Sequence, residues 1–87
     1  MIEVKKSDKV SLIFEPNIAL SNPIITYEIK DLGGKVIING NGNFEDGEIK
    51  TEIIDFSDMD EGYYEVQIYC SEGLETKTIY EFLKVEE

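Results

Sequence analysis

The stretch Asp60-Glu61-Gly62-Tyr63-Tyr64-Glu65-Val66-Gln67-Ile68-Tyr69 decides the fold of this 87-residue chain. It begins as an acidic turn and continues as a strand in which Tyr64 and Val66 share one face. A tyrosine two residues ahead of an inward residue has the spacing of a tyrosine corner, in which the ring enters a β-sandwich core and the hydroxyl binds upstream backbone. We therefore predict that Tyr64 is a buried structural residue and that Gly62 is the turn glycine before its strand.

Apolar and polar residues alternate along most of the chain, which is the period of a half-buried β-strand. Turn signals such as Gly33-Gly34 and Asp46-Gly47 separate these segments at intervals of roughly eight to twelve residues. The pattern predicts an all-β, immunoglobulin-like antiparallel β-sandwich of about seven strands with almost no helix. The predicted core contains Val10, Leu12, Phe14, Ile25, Tyr27, Ile29, Ile53, Tyr64, Val66 and Ile68.

Two segments are less regular. Asn39-Gly40-Asn41-Gly42-Asn43 favours a flexible loop or a bulged edge, because asparagine and glycine are poor strand formers. In the last strand the pattern leaves two registers open. The inward side chains are Thr76, Thr78, Tyr80 and Phe82, or they are the odd-numbered neighbours of these residues.

Length and charge limit the classes of function. We predict one domain, residues 1–87, because a chain of this size supports a single compact core. Nineteen acidic residues against eight lysines give a net charge of −11. Such a chain repels phosphate backbones and anionic lipid, so we expect neither direct nucleic-acid binding nor membrane-surface binding. The partners it selects electrostatically would be basic proteins or cations, although acidity also serves solubility alone.

The sequence offers little for catalysis, and we predict that the protein is not an enzyme and has no cofactor. It contains no histidine, and its single cysteine, Cys70, lies on the inward register of a strand. Asp55, Asp58, Asp60 and Glu61 are weak metal candidates around one turn, since they match a calcium-binding loop incompletely. A solvated acidic turn explains them as well.

Surface aromatic residues are the remaining indication of function. If Tyr64 points inward, Tyr63 and Tyr69 project from the opposite face of the same strand. Tyrosine is enriched where proteins meet, so these two residues, with Ile37 and Ile79, are the candidate interface residues. The alternative is that they only pair across strands and cover the sheet.

The order of features resembles the small immunoglobulin-like N-terminal domain of phage baseplate upper proteins and related phage tail or capsid-associated domains. The matching pieces are Lys6-Ser7-Asp8-Lys9 followed by residues 10–14, then residues 25–31, Gly34-Lys35-Val36-Ile37, residues 60–67 and Phe82-Leu83-Lys84-Val85. Similar strings occur in macroglobulin-type domains and in C-terminal sorting domains of bacterial secreted proteins. The lack of a signal peptide or linker favours the phage assignment over the sorting domain.

The resemblance implies a non-enzymatic protein-binding or structural module, a component of a phage or prophage virion. It implies protein partners, either as a homo-oligomer or in a larger virion assembly, and a location in the virion or the bacterial cytoplasm. Two other functions stay open. One is an acidic inhibitor that mimics nucleic acid in the basic groove of a host protein, because residues 45–65 hold nine acids against Lys50. The other is a calcium-binding or carbohydrate-binding module.

Overall fold

The computed structural model describes residues 1–17 and 19–87. Within these residues the chain forms nine strands and no helix, which confirms the all-β class. The strands are β1 Ile2–Lys5, β2 Lys9–Val10, β3 Ile13–Phe14, β4 Ile24–Asp31, β5 Val36–Glu45, β6 Glu48–Thr51, β7 Ile54–Asp55, β8 Gly62–Glu72 and β9 Glu75–Glu86. The count exceeds the expected one because two of the predicted strands are each divided, one into β2 and β3 and the other into β6 and β7.

The strands form a curled sandwich. Seven of them make one sheet in the order β1-β9-β8-β4-β5-β6-β3, and β2 pairs with β7 in a small separate sheet. The large sheet curls along β5, whose residue Gly42 lies opposite Ile25 of β4 and also opposite Thr51 of β6. One layer therefore contains β1, β9, β8, β4 and the start of β5, and the other contains the end of β5 with β6 and β3. The predicted immunoglobulin-like sandwich is confirmed, with one difference, since β1 runs parallel to β9.

The asparagine and glycine repeat lies inside β5, so the prediction of a flexible loop or a bulged edge at residues 39–43 is wrong: the pairing with β4 runs from Ile38 to Gly42 without a register shift. Gly40 lies opposite Tyr27, and Gly42 lies opposite Ile25. A Cβ atom on Gly40 would lie 2.9 Å from the Tyr27 ring, and one on Gly42 would lie 2.9 Å from Ile25 Cγ2. Glycine is required here because side chains of β4 cross the backbone of β5 where the sheet curls.

The core lies between the two layers. Eight of the ten predicted core residues are buried: Leu12, Phe14, Ile25, Tyr27, Ile29, Tyr64, Val66 and Ile68. Further buried apolar residues are Val4, Ile49, Ile54, Phe56, Met59, Cys70, Leu83 and Val85. The predictions for Val10 and Ile53 are wrong, because their side chains are 39% and 71% exposed.

Both errors have the same cause, since each residue lies where the chain changes partner strand. Val10 pairs with Ile54 in the small sheet, and the chain then passes to β3 in the large sheet. Ile53 lies in the reverse crossing between β6 and β7, where the alternation slips by one residue and Ile54 becomes the inward side chain. A strict period of two does not survive a crossing between sheets.

The tyrosine corner is present. Tyr64 is 8% exposed, and its hydroxyl donates a hydrogen bond of 2.6 Å to the Asp60 carbonyl oxygen. Burial, followed by the negative charges of Asp60 and Asp31, raises the pKa of the Tyr64 phenol. Gly62 begins β8 with φ of 142°, a conformation that L side chains rarely adopt.

Candidate interaction surface

The strongest candidate for a functional surface is the outward side of β8 and β9. Buried residues alternate along β8 from Tyr64 to Cys70, so the intervening side chains point away from the core. Tyr63 of β8 lies opposite Lys84 of β9, and Tyr69 lies opposite Thr78. The outward aromatic residues of the two strands are Tyr63, Tyr69, Tyr80 and Phe82, which together we call the outer aromatic face.

Tyr80 and Phe82 are functional candidates that the sequence left undecided. They are 63% and 56% exposed, more than Tyr63 at 51%. The register is fixed by a two-residue turn, since Glu72 pairs with Glu75. Reading Gly73-Leu74 as this turn in the sequence would have placed Tyr80 outward, because every later pair follows from the closing pair.

The interface candidates separate into two groups. Tyr63 and Tyr69 lie on the outward side of β8, and Ile37 is 39% exposed on β5. Ile79 does not join them, since it lies opposite Ile68 and is a partly buried residue packed against the core. The prediction that Ile79 is an interface residue is wrong, because the odd-numbered residues of β9, including Ile79, lie on the core side of the strand.

Tyr69 is held by polar neighbours. Its hydroxyl lies 2.5 Å from Glu28 Oε1 and 2.6 Å from Gln67 Oε1. The hydrogen bond to Glu28, together with burial and the nearby negative charge, raises the pKa of the Tyr69 phenol to about 12. Tyr69 therefore has a fixed ring orientation, which lowers the entropy cost of using that ring as a contact.

Tyr63 and its neighbours carry balanced charges. The Lys84 Nζ atom lies 5.7 Å from the centroid of the Tyr63 ring and 3.1 Å from Glu86 Oε1. The outward charged residues of β1, β4, β8 and β9 are Glu3, Lys5, Glu28, Lys30, Glu65, Lys84 and Glu86. Their charges nearly cancel, although the whole chain has a net charge of −11. The outer aromatic face is therefore close to neutral on an otherwise acidic protein, a composition typical of protein contact surfaces.

The acidic turn residues are not brought together. Asp55 lies 3.9 Å from the Lys9 ammonium, and its hydrogen bond from the Ser57 backbone N–H is the main reason that its pKa is lowered. Glu61 instead lies beside Glu87, which raises the pKa of Glu61. Asp60 has its carbonyl bound to the tyrosine corner, and Asp58 is exposed. Among residues 1–17 and 19–87, no group of three or more potential ligands could hold a metal ion.

The free thiol is also unsuited to chemistry. Cys70 is 1% exposed, and burial raises the pKa of its thiol, which lowers its thiolate fraction at neutral pH.

In the part of the chain that the structure describes, no helix is long and apolar enough to cross a membrane.

Comparison with known proteins identifies the family. The sequence model of the family described as "Secretion system C-terminal sorting domain" matches residues 7–80, from the β1–β2 turn to Tyr80 in β9. The chain belongs to this family. No curated protein matches this sorting domain. Among solved structures, CopC from Methylosinus trichosporium OB3b is similar, with a TM-score of 0.62 and 14% identity over 98% of this chain and 82% of that one. At this identity the likeness shows the shared fold alone.

The family match corrects the assignment from sequence. The resemblance to phage baseplate and tail or capsid-associated domains is wrong, and so is the inferred virion component. The location in the virion or bacterial cytoplasm is also wrong, because sorting domains of this family mark proteins for export. The match also contradicts the two alternative functions, which were an acidic inhibitor and a calcium-binding or carbohydrate-binding module. The family pattern is carried by the strands between residues 7 and 80.

Proposed function

We propose that this protein is a non-enzymatic sorting domain that a bacterial secretion machinery of type IX recognises, so that the polypeptide attached to it is exported. The observation that carries the proposal is the family match over residues 7–80, which includes β2 to β8 and half of β9. The matched residues form a folded sandwich, so the machinery would recognise a surface instead of an unfolded peptide.

The surface chemistry supports recognition by a protein. The outer aromatic face combines three well exposed rings with nearly balanced charges. Aromatic residues give large contact area, and the low net charge lowers the desolvation cost of covering it. The rest of the acidic chain makes direct contact with nucleic acid or an anionic membrane unfavourable. The proposed partner is therefore a protein component of the secretion machinery, and the domain itself performs no catalysis.

The proposal is tested by an export assay. A reporter enzyme is fused ahead of residues 1–87 and produced in a bacterium that has a type IX secretion system. We expect the fusion to reach the cell surface or medium, and the reporter alone to stay in the cell. A fusion that folds, as judged by reporter activity and protease resistance, but stays in the cell as the reporter does would overturn the proposal.

A matched pair of variants tests the surface. Tyr80→Ser with Phe82→Ser removes two exposed rings without touching the core, and we expect it to reduce export. Leu74→Ser is the control, because Leu74 is fully exposed at the hairpin turn away from the outer aromatic face. Equal export of the two variants would show that the face is not the recognised surface.

A further inference from the structure

The β9 strand has an open edge along more than half of its length. β1 pairs with β9 from Leu83 to Glu86, and β8 covers the other side of the whole strand. Between Glu75 and Phe82, the described residues supply no second partner strand. This open segment, residues 75–82, is continuous with the position of β1 and is longer than an average strand of about five to six residues.

Two hydrogen bonds show which backbone groups point to the open side. The Lys6 N–H donates 2.8 Å to the Glu86 carbonyl, so the backbone of Glu86 points away from β8. The Phe82 N–H is capped at 2.9 Å by the Glu81 carboxylate, so it also points away from β8. Backbone direction alternates along a strand, and the pairing of β8 with β9 has no register shift. The N–H and C=O groups of Thr76, Thr78 and Tyr80 therefore point to the open side.

Like charges exclude a second copy in two of the available registers. Antiparallel self-pairing must place even-numbered residues opposite one another, because these residues carry the outward backbone groups. A two-fold axis at Thr78 puts Glu75 opposite Glu81 of the other copy, and an axis at Lys77 puts two Lys77 side chains together. Like charges directly opposite each other are destabilising.

The registers with an axis at Ile79 or at Tyr80 are blocked by the fold, because each places a residue of the other copy beside Leu83, and an axis at Thr76 pairs only residues 75–77 of the open segment. An axis at Ile79 would pair Lys77 with Glu81 favourably, but it would place Glu75 of the other copy beside Leu83. Ile2 of β1 already occupies that place. The net charge of −11 on each copy adds a general repulsion.

We propose that the open edge of β9 receives an extended basic segment of the secretion machinery, which adds to the sheet as an antiparallel strand. The segment would carry lysine or arginine opposite Glu75 and Glu81, and β-branched residues opposite Tyr80 and Thr78. At Glu81 its basic side chain would take the place of the Met1 ammonium, which lies 3.7 Å from Glu81 Oε1. This inference rests on the proposed sorting function and names the site and partner chemistry within it. Main-chain hydrogen bonds to Thr76, Thr78 and Tyr80 supply affinity, and the paired side chains supply specificity.

The outer aromatic face is part of the same site. Tyr80 and Phe82 are outward residues of the edge strand itself, so a neighbouring strand would cover one side of each ring. Aromatic residues beside β-branched ones are favourable cross-strand pairs. The added strand thus accounts for the exposure of both rings and for the unpaired backbone next to them.

The binding test uses the intact chain and a synthetic peptide, Lys-Val-Thr-Val-Glu-Thr-Lys with blocked ends, designed to lie antiparallel to residues 81–75. We expect saturable binding and slower amide hydrogen exchange at Thr76, Thr78 and Tyr80, with the amides of Lys77 and Ile79 unchanged. A peptide with both lysines replaced by glutamate is the control and should bind at least about tenfold more weakly. Absence of binding, or protection elsewhere, would overturn the proposal.

Edge variants give the second measurement. Thr78→Pro removes an outward N–H without breaking a hydrogen bond to β8, and we expect it to weaken peptide binding about tenfold or more. Thr78→Ala keeps the N–H and is the matched control. If Thr78→Pro unfolds by circular dichroism, Glu75→Lys with Glu81→Lys replaces it, because this change reverses the edge charge and leaves the backbone intact.

The export assay separates the two proposals. Loss of export in the edge variants together with export of Thr78→Ala supports strand addition. Normal export of Thr78→Pro overturns strand addition and leaves the sorting function standing. Lack of export of the unaltered fusion overturns the sorting function. In that case the peptide-binding measurement still tests strand addition at the open edge of β9. A dimer in sedimentation that Thr78→Pro abolishes would overturn the choice of a basic partner over a second copy.

Discussion

Thr51→Val tests the polar contact between the end of β6 and Leu12, which directly precedes β3 in the same layer. Thr51 is 2% exposed, and its hydroxyl oxygen accepts a hydrogen bond of 2.8 Å from the Leu12 N–H. The same hydroxyl donates 2.9 Å to the Glu52 carbonyl oxygen. The Thr51 N–H donates 3.0 Å to the Leu12 carbonyl, so the two residues are bound in both directions.

Valine has the shape of threonine but cannot bind the Leu12 N–H. Leu12 is 4% exposed, so this N–H would stay buried without a partner. Leaving a buried donor unpaired costs about 1–3 kcal/mol, and the added methyl group recovers a part of that free energy. We expect Thr51→Val to lower the free energy of unfolding by about 2 kcal/mol, and the melting temperature by roughly 8–16 °C for a domain of this size.

The assay is urea unfolding followed by circular dichroism, with Thr51→Ser as the control. Serine keeps the hydroxyl and loses one methyl group, so it should cost only about 1 kcal/mol. The reasoning is refuted if the valine variant is as stable as the serine variant, or if it unfolds within about 0.5 kcal/mol of the unaltered protein.

Three further outcomes are expected. Tyr64→Phe should lose about 1 kcal/mol of stability, since it deletes the corner hydrogen bond, and unchanged urea unfolding would contradict this. In an absorbance titration, Tyr69 should ionise near pH 12, and Glu28→Gln should lower this pKa; an identical titration curve for Glu28→Gln and the unaltered protein would contradict the contact. The pKa of Tyr69 is higher in the folded protein than in the unfolded chain. The hydrogen bond of its neutral phenol to Glu28 therefore contributes fully to stability below pH 10, and this contribution is lost as the pH rises toward 12. Gly42→Ala should cost about 1–3 kcal/mol through overcrowding, whereas Gly33→Ala in an exposed turn should cost less, and equal costs would argue against the close approach.

Local rules were sufficient where one strand keeps one set of neighbours. The alternation along β4 and β8, with the glycine turn and the tyrosine ahead of Val66, gave the fold class and most of the core. Those strands lie in the middle of the sheet, so burial on one face follows directly from the period of two.

Local rules failed where a segment is decided by distant contacts. Gly40 and Gly42 look like a loop in the sequence, but the rings and methyl groups of β4 need the space that a side chain would occupy. Phe56 and Met59 lie in a link that reads as acidic, yet both are buried. The Phe56 N–H binds the Asp8 carbonyl, 48 positions earlier in the chain, a contact that no local pattern contains.

The candidate surface was predictable only in part. Tyr63 and Tyr69 followed from the inward direction of Tyr64, because all three belong to one uninterrupted strand. Tyr80 and Phe82 depended on the hairpin register, which the sequence left open. The family was misassigned because short strand segments recur in many sandwiches, and a match over the length from residue 7 to 80 was needed to separate them.

The parallel pairing of β1 with β9 determines how the domain responds to force. The two terminal strands run side by side in the same direction, from Ile2 beside Leu83 to Lys5 beside Glu86. Tension applied at Met1 and Glu87 therefore pulls the strands past each other along their length, and the hydrogen bonds between them share the load simultaneously. An antiparallel terminal pair, held at adjacent ends, would instead open one bond after another. The folded domain should therefore resist unfolding by a force that pulls on both ends of the chain, because the hydrogen bonds between β1 and β9 must break together.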